Sequence, residues 1–323
     1  MNVLLTSAGR RTSLLQAFKS CAHEIGGRVW AGDMDPLAPT FQVADENLVL
    51  PPINDTEYLP TLLDYVYTCS IDLLVPLIDP DLRPLAEARS DFASADCEVL
   101  VSSSTLLDVT LDKWYTMQHF SDVNVRTPMS WLPDNSSPEM WPDPVFVKPR
   151  RGSASEGAQR ASHDNISAVL DTLDAPMLQE VIEAPEITVD ALFDFDGMLI
   201  HYVPRLRIRT LAGESIQGRT LPHNDIGAWL NDVLHEIGSL GARGPITLQA
   251  FLTKPEPTLS EINARFGGGF PLAHAAGGHY PEWIMRMCNG DTVAPRLGNY
   301  NANLCMTRAY TEWFVPASKL DQR

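Results

Sequence analysis

The stretch LSEINARFGGGFP, residues 259–271, sets a carboxylate, an amide and a guanidinium at two-residue spacing and then gives up side chains at Gly267–Gly269. In a β-strand, residues i, i+2 and i+4 share a face. Glu261, Asn263 and Arg265 are therefore expected to point the same way, with Ile262 and Ala264 turned to a core. A paired strand through TLQAFL, residues 247–252, offers Gln249 to the same face. One acid and two amide oxygens suit Mg2+, a hard cation that takes oxygen ligands and keeps positions for water and phosphate. Arg265 would meet a phosphate chain bound to that ion, and the glycines would let the backbone approach a ligand. An edge strand with a polar solvent face, ending in a flexible loop, accounts for the same residues.

The rest of the chain narrows the choice. It has 323 residues, 44% of them apolar, enough for two or three domains with cores of their own. Its net charge of −17 opposes sequence-independent nucleic-acid binding, which needs a positive field. The arginines nevertheless gather: Arg205, Arg207, Arg209 and Arg219 in one place, Arg150 and Arg151 in another. Local basic sites in an acidic chain fit a small anionic ligand. The cysteines, Cys21, Cys69, Cys97, Cys288 and Cys305, are odd in number, far apart and without a CxxC. That spacing argues against disulfides and structural zinc, and a cytoplasmic location is expected. MNVLLTSAGRR carries its charges after its apolar run, the wrong order for a signal peptide. No stretch reaches the ~18 apolar residues of a membrane helix, so no membrane partner is expected.

Two kinds of unit follow from the periodicity. NVLLTSAG, RVWAGDMDP, IDLLVPLID and CEVLVSS read as strands, with helical spacing in RTSLLQAFKSCAHEIG between the first two. Strands alternating with helices imply an α/β unit with a parallel sheet, running to about residue 107. Ligands bind at the carboxyl ends of such strands, where Ser7-Ala8-Gly9-Arg10, Asp33, Asp35, Asp79 and Asp81 fall. These acids could bind a cationic amine, or could serve helix capping and turns. An α+β unit follows. TLLDVTLDKWYTMQHFSD reads as one helix, and a proline-rich loop leads to the hairpin VFVKPRRGSASEGAQRA. PMLQEVI is a strand, EITVDALFDFDGMLIHYVPRLRIRT is antiparallel β around Asp196-Gly197, and GPITLQAFLTKPEPTLSEINARF is a hairpin. NDIGAWLNDVLHEIGSLG and YPEWIMRMCNG are helices, and TRAYTEWFV is expected as a last strand. Lys148 ends an apolar strand before a Gly/Ser-rich turn, a way to hold polyphosphate, although no GK[ST] occurs and a solvated lysine fits as well. Glu180, Glu183 and Glu186 could accept bonds from an adenine amine or ribose hydroxyls, or be solvated acids.

A lysine hairpin, a glutamate strand and an E-x-N-x-R-x-G-G-G strand, in that order, resemble the ATP-grasp superfamily over nearly the whole chain. LTSAGRR, the LDK at 111–113 and EINARFGGGFPLAHAAG carry most of the likeness. Half of the carbamoyl-phosphate synthase large subunit and the amino-acid ligase of pyrrolysine biosynthesis are the relatives it resembles. The resemblance implies an ATP-grasp fold preceded by a Rossmann-like pre-ATP-grasp domain at residues 1–107. A small lobe with a lid hairpin would span 108–178, and a large lobe with the metal and phosphate site 179–323.

It also implies the ligands, ATP with Mg2+ or Mn2+. Lys113 and Lys148 would bind the ATP phosphates, and the loop Gly152–Gly157, with Ser153 and Ser155, would close over them. The strand Gln179–Ile182, with Glu180 and Val181, would bind adenine, and Glu186 the ribose. Gln249, Glu261 and Asn263 would hold Mg2+, with Glu261 bridging two ions. Many members carry an acid where this chain has Gln249, although the carbamoyl-phosphate synthase type also uses glutamine. Arg265 would stabilise the transferring phosphoryl group. Arg205, Arg207 and Arg209 alternate, so Arg207 or Arg209 is expected on the substrate carboxylate, with Arg219 ordering the loop. Arg10, Asp33, Asp79, Gly268 and Gly269 complete the substrate-side candidates. The implied activity is a carboxylate–amine ligase that forms an acyl-phosphate, a task of positioning and charge neutralisation. A kinase acting on bicarbonate or carbamate, and a non-catalytic ATP-binding protein, are the alternatives. The implied partners are small carboxylates and amines; the sequence does not fix the oligomeric state, and a homodimer through the first or last domain is compatible with it.

Overall fold

The computed structural model describes residues 1–152, 157–211, 213–223 and 226–318. Ser153 and Ser155 lie outside them. Three sheets organise the chain. The first is parallel and contains β1 (Val3–Thr6), β2 (Val29–Asp33), β3 (Glu46–Val49), β4 (Leu73–Pro76) and β5 (Glu98–Val99), in the order β3-β2-β1-β4-β5. β1 and β4 are buried along their whole length, as continuous apolar runs in a covered parallel sheet require. Helices α1 (Thr12–Glu24), α2 (Tyr58–Cys69), α3 (Asp79–Glu87) and α4 (Arg89–Ala93) connect the strands. The strand order reverses between β1 and β4, which opens a crevice at their carboxyl ends. β3 escapes the sequence reading because it is an edge strand with exposed Glu46 and Asn47 and only Leu48 buried.

The expected single helix over 105–122 is two, α5 (Ser104–Thr110) and α6 (Lys113–Asp122). Asp112 breaks it. Its backbone is extended, and its carboxylate accepts from the Trp114 N–H at 3.0 Å and from Arg150 Nε and NH2 at 3.1 and 2.8 Å. A second, antiparallel sheet runs in the order β6-β9-β7-β8: β6 (Ser130–Trp131), β7 (Val145–Pro149), β8 (Gln159–Ala161) and β9 (Pro176–Glu180). It packs with α7 (Ile166–Leu170) around Trp141, Val145, Val147 and Leu178. β9 ends at Glu180, so Val181 and Ile182 follow the strand that was expected to contain them.

The third sheet is antiparallel, ordered β14-β13-β10-β11-β12-β15. Its strands are β10 (Glu186–Phe193), β11 (Leu199–Leu211), β12 (Glu214–Thr220), β13 (Gly244–Phe251), β14 (Thr258–Asn263) and β15 (Cys305–Thr307). Ile187, Val189 and Ala191 share a core with Trp229, Leu230 and Val233 of α8 (Gly227–Ser239). Thr188 and Asp190, alternating with them, turn to the opposite face, where α9 (Phe270–Ala275) and α10 (Tyr280–Cys288) also lie. Two expectations fail in this sheet. β14 stops at Asn263, leaving Arg265 beyond it. The last strand lies earlier than TRAYTEWFV: pairing with β12 covers Cys305–Thr307, of which only Thr307 belongs to that stretch, and Tyr310 and Phe314 are exposed. No described helix is long and apolar enough to cross a membrane, and the five cysteines are free.

Candidate active site

A cavity of about 440 Å³ lies between the second and third sheets. Phe146, Val181, Ile182 and Phe251 give it apolar walls, while Lys113, Lys148 and Glu186 supply charge. A second chamber of about 130 Å³ adjoins it, walled by Arg10, Arg11, Arg205, Arg265 and Gly267–Gly269. The two share Arg207, Gly213, Gln249 and Glu261.

Strand register builds that shared wall. Gln249 lies directly across from Glu261 and from Thr188, and Thr247 lies across from Asn263. Asn263 Nδ2 donates to Glu261 Oε1 at 3.3 Å, and Arg265 donates to Asn263 Oδ1 at 2.9 Å. Arg207 donates to Glu186 at 2.5 Å, to Gln249 Oε1 at 2.7 Å and to the Gly213 carbonyl at 2.8 Å. Burial raises the Glu186 carboxyl against the opposing pull of Arg207. The three expected metal ligands are thus together, with both amide oxygens already accepting from guanidinium groups. Glu261 Oε2 makes no hydrogen bond among the described residues, which hold no cluster of three His, Cys, Asp or Glu side chains. One carboxylate with two amide oxygens fits Mg2+, which keeps several waters and binds through few protein ligands plus phosphate.

Lys148 is 8% exposed, and among the described residues its ammonium makes no hydrogen bond or ion pair. Burial pulls its ammonium down to about 8, with Glu261 opposing. A buried cation with no protein partner, opening on a cavity, fits an anionic ligand. Lys113 Nζ donates to the Gly152 carbonyl at 2.6 Å. Gln179 donates to Ser130 Oγ at 3.0 Å, and Glu180 accepts from the Met129 N–H at 3.0 Å. Both line the larger cavity. Gly157 has a φ of 70° and does not line it.

Several substrate-side expectations are corrected. Asp33 accepts from the Gly9 and Asp35 N–H groups at 2.7 and 2.9 Å, so its carboxylate serves the turn after β1. Asp79 is paired with Arg265 at 2.7 Å. Asp81 is buried and accepts from Tyr58, Thr6 and Ser7. No carboxylate among these is left for a cationic amine. Arg209 lines neither chamber: irregularities on both sides of it break the alternation, and it is exposed. Arg219 pairs with Leu206 while Arg207 pairs with Gly218, so Arg219 faces away from the site.

The glycine triplet is a packing device. A Cβ at Gly267 would stand 2.8 Å from Thr247, one at Gly268 would stand 2.8 Å from Glu214, and one at Gly269 would stand 2.2 Å from Arg205 Cζ. α9 begins at once after it, at Phe270.

Comparison with known proteins agrees with this architecture. Residues 3–100 match the family model of the PylC-like N-terminal domain, and residues 172–306 match that of ATP-grasp in the biosynthetic pathway with Ter operon. The match over residues 172–306 makes that segment an ATP-grasp domain by sequence. It is similar in fold to the biotin carboxylase domain of Hydrogenobacter thermophilus 2-oxoglutarate carboxylase, solved with MgADP, ADP and bicarbonate. Identity there is 15% and the TM-score 0.74, over 94% of this chain and 73% of that one. The L-amino acid ligase of Bacillus licheniformis is 17% identical at a TM-score of 0.68, over 89% and 73% of the two chains. N5-carboxyaminoimidazole ribonucleotide synthetase of Thermotoga maritima is 18% identical at 0.62, over 91% and 77%. No curated protein sequence matches the chain.

Two chamber residues, Arg11 and Arg205, and Arg308 beside the chamber carried no assignment from sequence. Arg11 adjoins Arg10 in the turn after β1, a doublet visible in LTSAGRR. Arg205 belongs to the arginine alternation on β11 but is the buried member, bound to Asp190 at 2.8 Å. Arg308 gave no signal. It comes from the strand-less tail and reaches the Gly268 carbonyl and, at 3.4 Å, Glu214.

Proposed function

We propose that the protein is an ATP-dependent carboxylate–amine ligase that works through an acyl-phosphate and releases ADP and phosphate. The observation that carries this reading is the junction of the two chambers at Arg207, Gln249 and Glu261, with unpartnered Lys148 beside it. The larger cavity is of the size that takes a small-molecule ligand, about 300–1,000 Å³. It has apolar walls for a base and Glu186 for ribose hydroxyls. Lys113 and Lys148 would bind the phosphates and keep them extended toward the junction. Glu261, Gln249 and Asn263 would hold Mg2+, which when bound supplies neutralisation of the phosphate oxygens.

The acid would lie in the smaller chamber. Its carboxylate oxygen bonds to the γ-phosphorus, the bridging P–O bond breaks and the electron pair leaves with ADP. An amine then attacks the acyl carbon, phosphate departs and the amine proton goes to solvent. Arg265 is fixed by Asp79 and Asn263, across the two domains, and keeps a buried Nε without a partner. It would position the acyl and phosphoryl groups without reorganising. Proximity and charge neutralisation are what phosphoryl transfer asks of a protein.

The test incubates the protein with ATP, Mg2+ and pools of carboxylic acids and amines, with bicarbonate as a separate arm. ADP and phosphate are expected to form only when acid and amine are both present, and Glu261→Ala is expected to lose at least a hundredfold in turnover. AMP and pyrophosphate as products would refute the acyl-phosphate route, and ADP formation with bicarbonate alone would refute the ligase.

A further inference from the structure

The smaller chamber is lined by five arginines, Arg10, Arg11, Arg205, Arg207 and Arg265, against two carboxylates, Glu214 and Glu261. Near the nucleotide cavity its guanidinium groups are matched singly: Arg207 by Glu186, Arg265 by Asp79 and Arg205 by Asp190. At the far end the match is poorer. Arg10 and Arg11, which line the chamber, and Arg308 beside it all turn to one carboxylate, Glu214, at 3.4, 4.0 and 3.4 Å, so that among the described residues three guanidinium groups share one ion-pair partner. This occurs in a chain whose net charge is −17. Arg11 makes no side-chain hydrogen bond among the described residues, and it precedes α1, whose first turn carries no acid. Burial and then the like charge of Arg265 pull the Arg11 guanidinium down to about 10. Burial likewise lowers Arg308, with Arg205 and Arg10 adding to the effect against Glu214.

Arg205 supplies an independent observation. Its side chain is 3% exposed, and only Nε is bonded, to Asp190. Its two terminal nitrogens have no protein partner among the described residues, yet neither is sealed from the chamber. The glycine at 269 leaves room for this fork: a Cβ there would stand 2.3 Å from each terminal nitrogen. A buried guanidinium with a free fork fits a carboxylate or another planar anion.

We propose that the smaller chamber takes a small aliphatic dicarboxylate, with one carboxylate at Arg265 beside the nucleotide cavity and the second at Arg205 and Arg11, with Arg10 at the rim. This rests on the ligase reading only for which carboxylate reacts. The chamber volume of about 130 Å³ is near the roughly 150 Å³ that encloses a benzene molecule, a space fit for a succinate-sized acid. Asp33, Asp79 and Asp81 line neither chamber, so the charged side chains at this end are the arginines and Glu214, walls that suit a second anion.

The test is calorimetric titration of succinate and of butyrate, its size-matched monoacid, into the full-length protein saturated with MgADP at constant ionic strength. Succinate is expected to bind at least tenfold more tightly than butyrate. Arg11→Gln and Arg10→Gln are expected to reduce that ratio below threefold while leaving MgADP affinity unchanged. Arg10 is 62% exposed, so its variant keeps the test valid if Arg11→Gln folds poorly. Equal binding of the two acids, no binding of succinate, or an unchanged ratio in the variants overturns the proposal. Discrimination for succinate without ADP release in the presence of any amine would refute the ligase reading and leave the dicarboxylate chamber standing.

Discussion

Replacing Gly269 by alanine tests why the chain drops its side chains after Arg265. Gly269 has a φ of −88°, a conformation any residue adopts, so alanine brings no backbone strain. What it brings is a methyl 2.2 Å from Arg205 Cζ, well inside any tolerable contact. Arg205 cannot simply swing aside. It is bonded to Asp190 at 2.8 Å, and both side chains are nearly inaccessible to solvent. Asp190 Oδ1 already lacks a partner, so losing Arg205 would leave the whole carboxylate buried and unpaired. Breaking a buried pair costs about 3–5 kcal/mol. Partial relief by a small shift of the fork reduces that to an expected loss of about 2–4 kcal/mol. At about 2–4 °C per kcal/mol for domains of 150–250 residues, the melting temperature should fall by roughly 5–15 °C. Thermal and urea unfolding measure it. Lysine at 205 keeps a charge for Asp190 but lacks the fork that lies against Gly269, so in an Arg205→Lys background Gly269→Ala should cost less than about 1 kcal/mol. A loss under about 0.5 kcal/mol in the parent chain, or the same loss in both backgrounds, would refute the account of the glycines as room for arginine.

Folding lowers the Lys148 ammonium to about 8 from the unfolded value of 10.5, so across that window the unfolded chain binds more protons and nucleotide-free stability should rise with pH by about 3 kcal/mol. Lys148→Met should remove that rise, melt higher than the parent at pH 7 and lose the thermal shift given by MgADP; a steeper rise in the variant would contradict this. Arg207→Ala should lower acid-dependent turnover at least tenfold, whereas Arg209→Ala and Arg219→Ala, outside both chambers, should stay within threefold. Steady-state assays of the three variants decide it, and a large effect at Arg219 would place a substrate contact on the wrong face of β12.

What the sequence shows plainly is whatever depends on neighbours along the chain. The apolar runs of β1 and β4 announce a covered parallel sheet because every side chain in them meets a core. The two-residue spacing of Glu261 and Asn263 puts both on one face, and hairpin pairing brings Gln249 across from Glu261. β3 stays hidden because an edge strand buries only Leu48. The break at Asp112 stays hidden because a single aspartate inside a helical pattern costs little, and its capping bond from the Trp114 N–H is joined by an ion pair with Arg150, 38 residues away. The tail beyond Thr307 has strand-like residues, but its pairing with β12 ends after the Arg308 N–H bond to Ile216, and Tyr310 and Phe314 lie exposed.

The acidic ends of the first sheet show the limit from the other side. Asp33, Asp79 and Asp81 fall where an open α/β sheet binds ligands, and type and position alone suit them to a cationic amine. Their partners within the protein occupy them instead. Arg265 lies 186 residues from Asp79, and Tyr58 closes on Asp81 from a different helix. Long polar side chains join elements with no periodic relation, so no local pattern encodes which charges cancel. The charge left after cancellation is what a ligand meets, and in the smaller chamber it is positive. The substrate side of this candidate site is therefore defined less by its residue types than by the carboxylates already in use, with Glu214 the shared ion-pair partner of Arg10, Arg11 and Arg308 among the described residues.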